Sequence, residues 1–227
     1  MTTLPFDTIT LPGSQVRDAL PGLRRDGIWP VVMGDPAQAE LIAEIRTPPE
    51  HPLYAHEERL AGFDLDAWLE NRADEAQALA EEYEFDWLPR GPVRAEAVTW
   101  AHRAPTLDTD FRGHPLPQVL IGLPRIEAGW QFPALTQYGG WNAHPFPLVH
   151  MALFHRWEAE FGARLVSFGQ DIIEMRVARP PRTYEAAEAL AIAQYLYCPD
   201  LVDQGHGTID TLTAVLLAGH DWHFWWD

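Results

Sequence analysis

The chain has 227 residues, 47% of them apolar, so it can bury a core unaided and is too apolar for disorder. Its net charge of −17, with arginine as its cation and no lysine, argues against nucleic acid and anionic membranes and would steer a basic partner towards it. One cysteine forms no internal disulfide, no apolar run approaches the ~20 residues of a membrane span, and the N-terminus lacks a signal peptide's basic start and apolar stretch, so the expectation is a cytoplasmic protein.

Residues 27–34 read as a short strand between glycines, and Pro30 inside it predicts an edge position, because proline cannot donate to a ladder. Asp35-Pro36 then opens a helix to about Arg46, with aspartate as cap and proline at the first helical position; Pro48-Pro49 stops it. Residues 64–84 show the clearest helical period: Leu65, Trp68, Leu69, Ala76, Leu79, Ala80 and Tyr83 form one apolar stripe, expected to face the core. Between Glu50 and Asp86 twelve acids stand against two arginines, which reads as a solvated face, or more sharply as a docking surface for a basic protein. Threonines, aspartates, a glycine and prolines over 103–117 suggest a linker. The predicted organisation is therefore an N-terminal α/β accessory region over 1–110 and a C-terminal α+β domain over 115–227.

Val119 to Leu123 reads as a strand and Pro147 to Phe161 as a helix stopped by Gly162. Residues 164–168 and 171–178 read as strands joined by a Gly169-Gln170 turn. A helix capped by Thr183 runs to about Tyr197, and another starts near Thr208 and ends before Gly219. The chain closes on a strand in which Trp222, Phe224 and Trp226 share the core face and Trp225 lies opposite, suited to line a groove. The fold class is α+β, a mostly antiparallel sheet covered by helices.

Cys198 sits at the C-terminal end of its helix with Asp200 and Asp203 after it; the helix dipole and these acids both oppose a thiolate, so it reads as structural. Asp200, Asp203 and His206 are acceptable ligand types for a divalent metal, but their spacing fits no metal motif and no metal or cofactor is expected. Trp141 and Asn142 after a glycine pair, and Gln204 in the loop of Asp200, complete the candidate ligand-binding residues with Trp225. Glu174 and Arg176 share a strand face and read as a surface pair, with Asp171 on the other side.

Gly139-Gly140-Trp141-Asn142, Trp157 with Phe161-Gly162-Ala163, Asp171 with Glu174, Pro180-Pro181, Tyr197-Cys198-Pro199-Asp200, Gln204-Gly205 and the closing Trp222 to Asp227 resemble domain-of-unknown-function family 4253, over roughly the last hundred residues. Members of that family often carry a tyrosine at the position of Phe161 and a glutamate at that of Ala193. The resemblance implies a soluble bacterial protein and supplies no catalytic residues. The functional expectation is a non-catalytic intracellular protein- or ligand-binding module with a basic protein partner. The alternative is a hydrolase or metal-dependent enzyme using the Asp200, Asp203 and His206 loop.

Overall fold

A computed structural model describes residues 4–45, 53–99 and 103–227. Strand β1 (Asp7–Leu11), helix α1 (Gly13–Leu23) and β2 (Val31–Gly34) come first. Helices α2 (Pro36–Ile45), α3 (Leu53–Ala61), α4 (Leu65–Tyr83) and α5 (Ala95–Thr99) follow. Then come β3 (Val119–Leu123), α6 (Phe132–Thr136), α7 (Pro147–Phe161), β4 (Ala163–Phe168) and β5 (Ile172–Val177). Helix α8 (Tyr184–Tyr197), a π-helical turn (Leu201–His206), α9 (Ile209–Ala218) and β6 (Asp221–Trp225) end the chain.

The strands form one six-stranded sheet in the order β1-β3-β2-β4-β5-β6. Neighbours pair antiparallel except β2 with β4, which run parallel. The class is α+β, as the sequence implied. Strands from residues 7–34 and from residues 119–225 share this sheet, so its hydrogen bonding spans the 103–117 segment.

Several local signals act as expected. Thr183 and Thr208 cap α8 and α9, each accepting from a first-turn N–H, and the Asp64 carboxylate, not singled out as a cap from the sequence, does the same from Ala67 N–H at the start of α4. Gly162 ends α7 at φ 62°, a conformation that only a residue without a Cβ adopts at little cost. The predicted run of α2 to Arg46 and its Pro48-Pro49 stop lie outside the described residues.

Other expectations change. Strand β2 is interior, between β3 and β4, and Val31 to Met33 are all buried. Pro30 lies just before the first paired residue, so it removes no ladder donor and imposes no edge. The 103–117 segment is a strap fixed to the fold: Asp108 is buried against Arg17, at 2.9 Å, and Gly13 N–H donates to Leu116 O. The α4 stripe is only partly covered. Leu65 and Ala80 are buried, but Leu79 and Tyr83 are 51% and 66% exposed. Strand β1 and helix α1, unforeseen from the sequence, extend the sheet and cover one of its faces with Val16 against Val32, Val119 and Ile121.

The larger core lies on the opposite face. Trp157 of α7 stacks on Phe224 with ring centroids 5.4 Å apart and meets Trp222 and Tyr197 edge-on. Trp222, Phe224 and Trp226 are 3%, 0% and 1% exposed, so the aromatic tail is interior. Burying rings of this size supplies much of the drive for the whole layer.

Candidate functional site

Strand β6 is an edge of the sheet, and its alternation sends Asp221, His223 and Trp225 to the face opposite the aromatic core. A cleft of about 570 Å³ runs along it. Leu212, Val215 and Leu216 of α9 form an apolar wall with Trp222 and Trp225. Asp200 at the start of the π-helical turn and Gln204 and His206 within it, with Arg94 just before α5 and Glu96 in its first turn, form a polar rim. An apolar wall with a few convergent polar groups is the usual form of a small-ligand site.

The π-helical turn sets that rim. Its wider winding carries the chain from Asp200 to Gly207, whose φ of 78° reverses direction into the Thr208 cap of α9. The Arg94 guanidinium donates to the Gly205 carbonyl, which ties the turn to residues N-terminal to α5. Asp200 accepts from Gln204 Nε2 at 2.8 Å and from Asp227 N–H at 3.0 Å.

The structure thus brings Asp200, Gln204, His206 and Trp225 together. Asp203 departs from them. It faces a separate groove, where it accepts the Tyr195 hydroxyl at 3.1 Å; burial raises its carboxyl above the ordinary range against that hydrogen bond. Asp200, Asp203 and His206 therefore do not form one ligand set. Among the described residues no three His, Cys, Asp or Glu side chains group to hold a metal.

Trp141 and Asn142 also lie outside the cleft. Gly139 and Gly140 build a tight turn in which an added Cβ would come within 2.2 Å of Pro145 O and 2.4 Å of the Phe146 ring. That turn stacks Trp141 on His144 and leaves Asn142 donating to Asp227 O at 3.0 Å. Both the 139–145 loop and the Asp200 turn thereby hold the backbone of Asp227, one through Asn142 and one through Asp200.

Glu174 is the main correction. It is 0% exposed, not part of a surface pair. Strap residue Thr106 donates its N–H to both carboxylate oxygens, at 3.0 and 2.9 Å. His223 of β6, its cross-strand neighbour, places Nδ1 3.4 Å away. Burial is the largest influence on Glu174 and opposes its charge. The His223 and Thr106 hydrogen bonds with the Ser167 contact together outweigh it, so the carboxyl lies below its ordinary range. Arg176, the supposed mate, bonds instead to Asp221 and to Ala104 O. The arrangement holds His223, 21% exposed, against the cleft with its ring fixed from behind by a buried carboxylate. A carboxylate behind an imidazole fixes its tautomer and orientation.

A second buried polar group was not anticipated. His150 of α7 bonds Tyr197 Oη through Nδ1 at 2.7 Å and meets His144 Nδ1 through Nε2 at 3.2 Å. Burial pulls His144 down to about 4 and His150 well below the ordinary value, the latter also opposed by the His144 charge. Both are neutral structural groups at neutral pH. Cys198 is buried too and donates its thiol to Trp225 O at 3.0 Å. Burial pushes that thiol up to about 12, so it is no nucleophile.

Residues 120–227 match the family described as a domain of unknown function (DUF4253). No curated protein and no solved structure matches the chain. The matched stretch runs from Leu120 in β3 to β6 and includes Glu174, Asp200, Gln204, His206, His223 and Trp225, while Thr106 and Arg94 come from outside it. Among the described residues no helix is long and apolar enough to cross a membrane.

Proposed function

We propose that this protein is a non-catalytic binding module whose small-molecule ligand occupies the β6 cleft. One observation carries the proposal: Asp200, Gln204, His206 and Trp225 converge on a ligand-sized space with an apolar wall and a carboxylate-supported histidine. The only thiol is buried, and the described wall of the cleft holds no serine, threonine or cysteine to serve as a nucleophile. A single cysteine in a strongly acidic chain fits a cytoplasmic setting and basic rather than nucleic-acid partners, and the family resemblance implies a bacterial source.

The Glu174–His223 pair favours a second reading, acid–base chemistry on a bound substrate with His223 as the base. Thermal-shift screening with amino acids, aromatic acids and short peptides separates the two. A cleft ligand raises Tm of the wild type and not of Trp225→Ala. Compounds that leave Tm unchanged throughout the panel would remove the small-ligand proposal. Turnover of a bound compound, lost in His223→Gln, would replace it with the acid–base reading.

A further inference from the structure

The apolar stripe of α4 continues past the point where the fold covers it. Leu79 and Tyr83 are exposed, and so is Phe85 just beyond the helix, at 50%. Side chains of this size gain most from burial, and single exposed ones are ordinary, but these are clustered along one helix end. Leu79 and Phe85 border a groove of about 810 Å³ with Trp87, Tyr195, Leu196 and Pro199 on its apolar sides. This groove shares none of the β6 cleft's lining, the two being bordered by different residues of α8 and the π-helical turn.

Glu75, Asp86 and Asp203 line it against Arg72 and Arg90, and the C-terminal end of α4 beside it adds further acids. Exposed acids alternate with the exposed rings in the run Glu81-Glu82-Tyr83-Glu84-Phe85-Asp86. The groove's two arginines are already engaged: Arg72 pairs with Glu75 at 2.9 Å, and Arg90 pairs with Glu188 and with Asp210. Among the described residues no cation pairs with Glu81, Glu82, Glu84 or Asp86. Helix α4 ends at Glu84 in a left-handed conformation at φ 57°, and this turn brings Phe85 and Trp87 round to the groove.

We infer that this groove docks a basic segment of a protein partner, one that inserts leucine- or phenylalanine-type anchors between Leu79, Phe85 and Trp87 while its lysines or arginines meet the acidic rim. The occupant follows from charge: an acidic or neutral segment would leave those carboxylates facing their like or desolvated without a counter-ion. The apolar floor would carry most of the affinity, and the rim would set association rate and salt dependence. This surface rests on the binding-module reading but not on the β6 cleft.

The test uses the full chain and a fluorescein-labelled amphipathic peptide of lysine and leucine, beside counterparts with glutamine or glutamate in place of lysine. The lysine peptide should bind, more weakly as salt rises, and the other two at least about tenfold more weakly. Leu79→Ser with Phe85→Ser should weaken the lysine peptide by about tenfold or more, whereas Phe111→Ser, at a ring 92% exposed elsewhere, should not. Hydrogen exchange should show protection across residues 75–90. No binding, equal binding by the double variant, or protection confined to another face would overturn the inference. A concentration-dependent dimer dissolved by the double variant would overturn it in favour of self-association. Trp225→Ala should leave peptide binding intact, so failure of the cleft proposal stays distinguishable from failure here.

Discussion

At Glu174 the fold removes water from a charge and replaces it with specific donors, the Thr106 N–H and the His223 ring. Because its folded-state value is depressed, its stabilisation is present above the ordinary carboxyl range and is lost as pH falls through the lower, folded value. Glu174→Ala would orphan Thr106 N–H and unseat His223, with an expected cost of about 3 kcal/mol in urea denaturation; Glu174→Gln, which keeps an acceptor, should cost clearly less. Equal costs for the two would show that volume, not hydrogen bonding, sets the loss. The sequence shows Glu174 two positions from Arg176 on one strand face, a pattern identical to that of a solvated pair. Nothing local reports that a strap from 68 residues away covers one member of it. Cys198 was more legible, since helix end and nearby acids already argued against a thiolate, although burial is the larger cause.

Among elements, those with caps and a single period are the readable ones. Thr183, Thr208 and Asp64 each accept from a first-turn N–H because their short side chains reach back to it, which depends on no distant contact. Thr183→Ala should therefore lower stability by about 1 kcal/mol in chemical denaturation, through loss of the Ala186 N–H acceptor at the start of α8. A cost near zero would mean that solvent satisfies that donor equally well. Strand β6 was legible for a similar reason: alternating burial follows from the pleat alone. The position of β2 was not, since Pro30 bears on edge status only if it occupies a paired position. On α4, the period marks which residues share a stripe but not how far the fold covers it, and Leu79 and Tyr83 lie beyond that limit.

At the scale of the molecule, the buried His144–His150–Tyr197 chain joins the 139–145 loop, α7 and α8. Both histidines are bases whose folded-state values lie below the ordinary one, so the unfolded chain takes up their protons first. Stability is full above about pH 6.5 and falls as pH drops towards about 4, at roughly 1.4 kcal/mol per pH unit for each histidine. Denaturation midpoints measured across this range should decline towards acid, and His144→Asn should flatten the slope by about one proton. A slope unchanged in that variant would exclude His144 as its source.

The sequence by itself determined the α+β class, the starts of α2, α4, α7, α8 and α9, the inward face of the closing strand and the unreactive thiol, because each depends on residues within one or two turns of each other. Tertiary structure alone decided that Glu174 is buried, that β2 is central, that Asp203 parts from Asp200 and His206, and that a groove opens beside Leu79 and Phe85. The first two and the groove depend on which distant segment packs on a given face, and a face's local pattern is the same whether water or protein covers it; Asp203 parts through the wider π-helical winding, which residue spacing does not report.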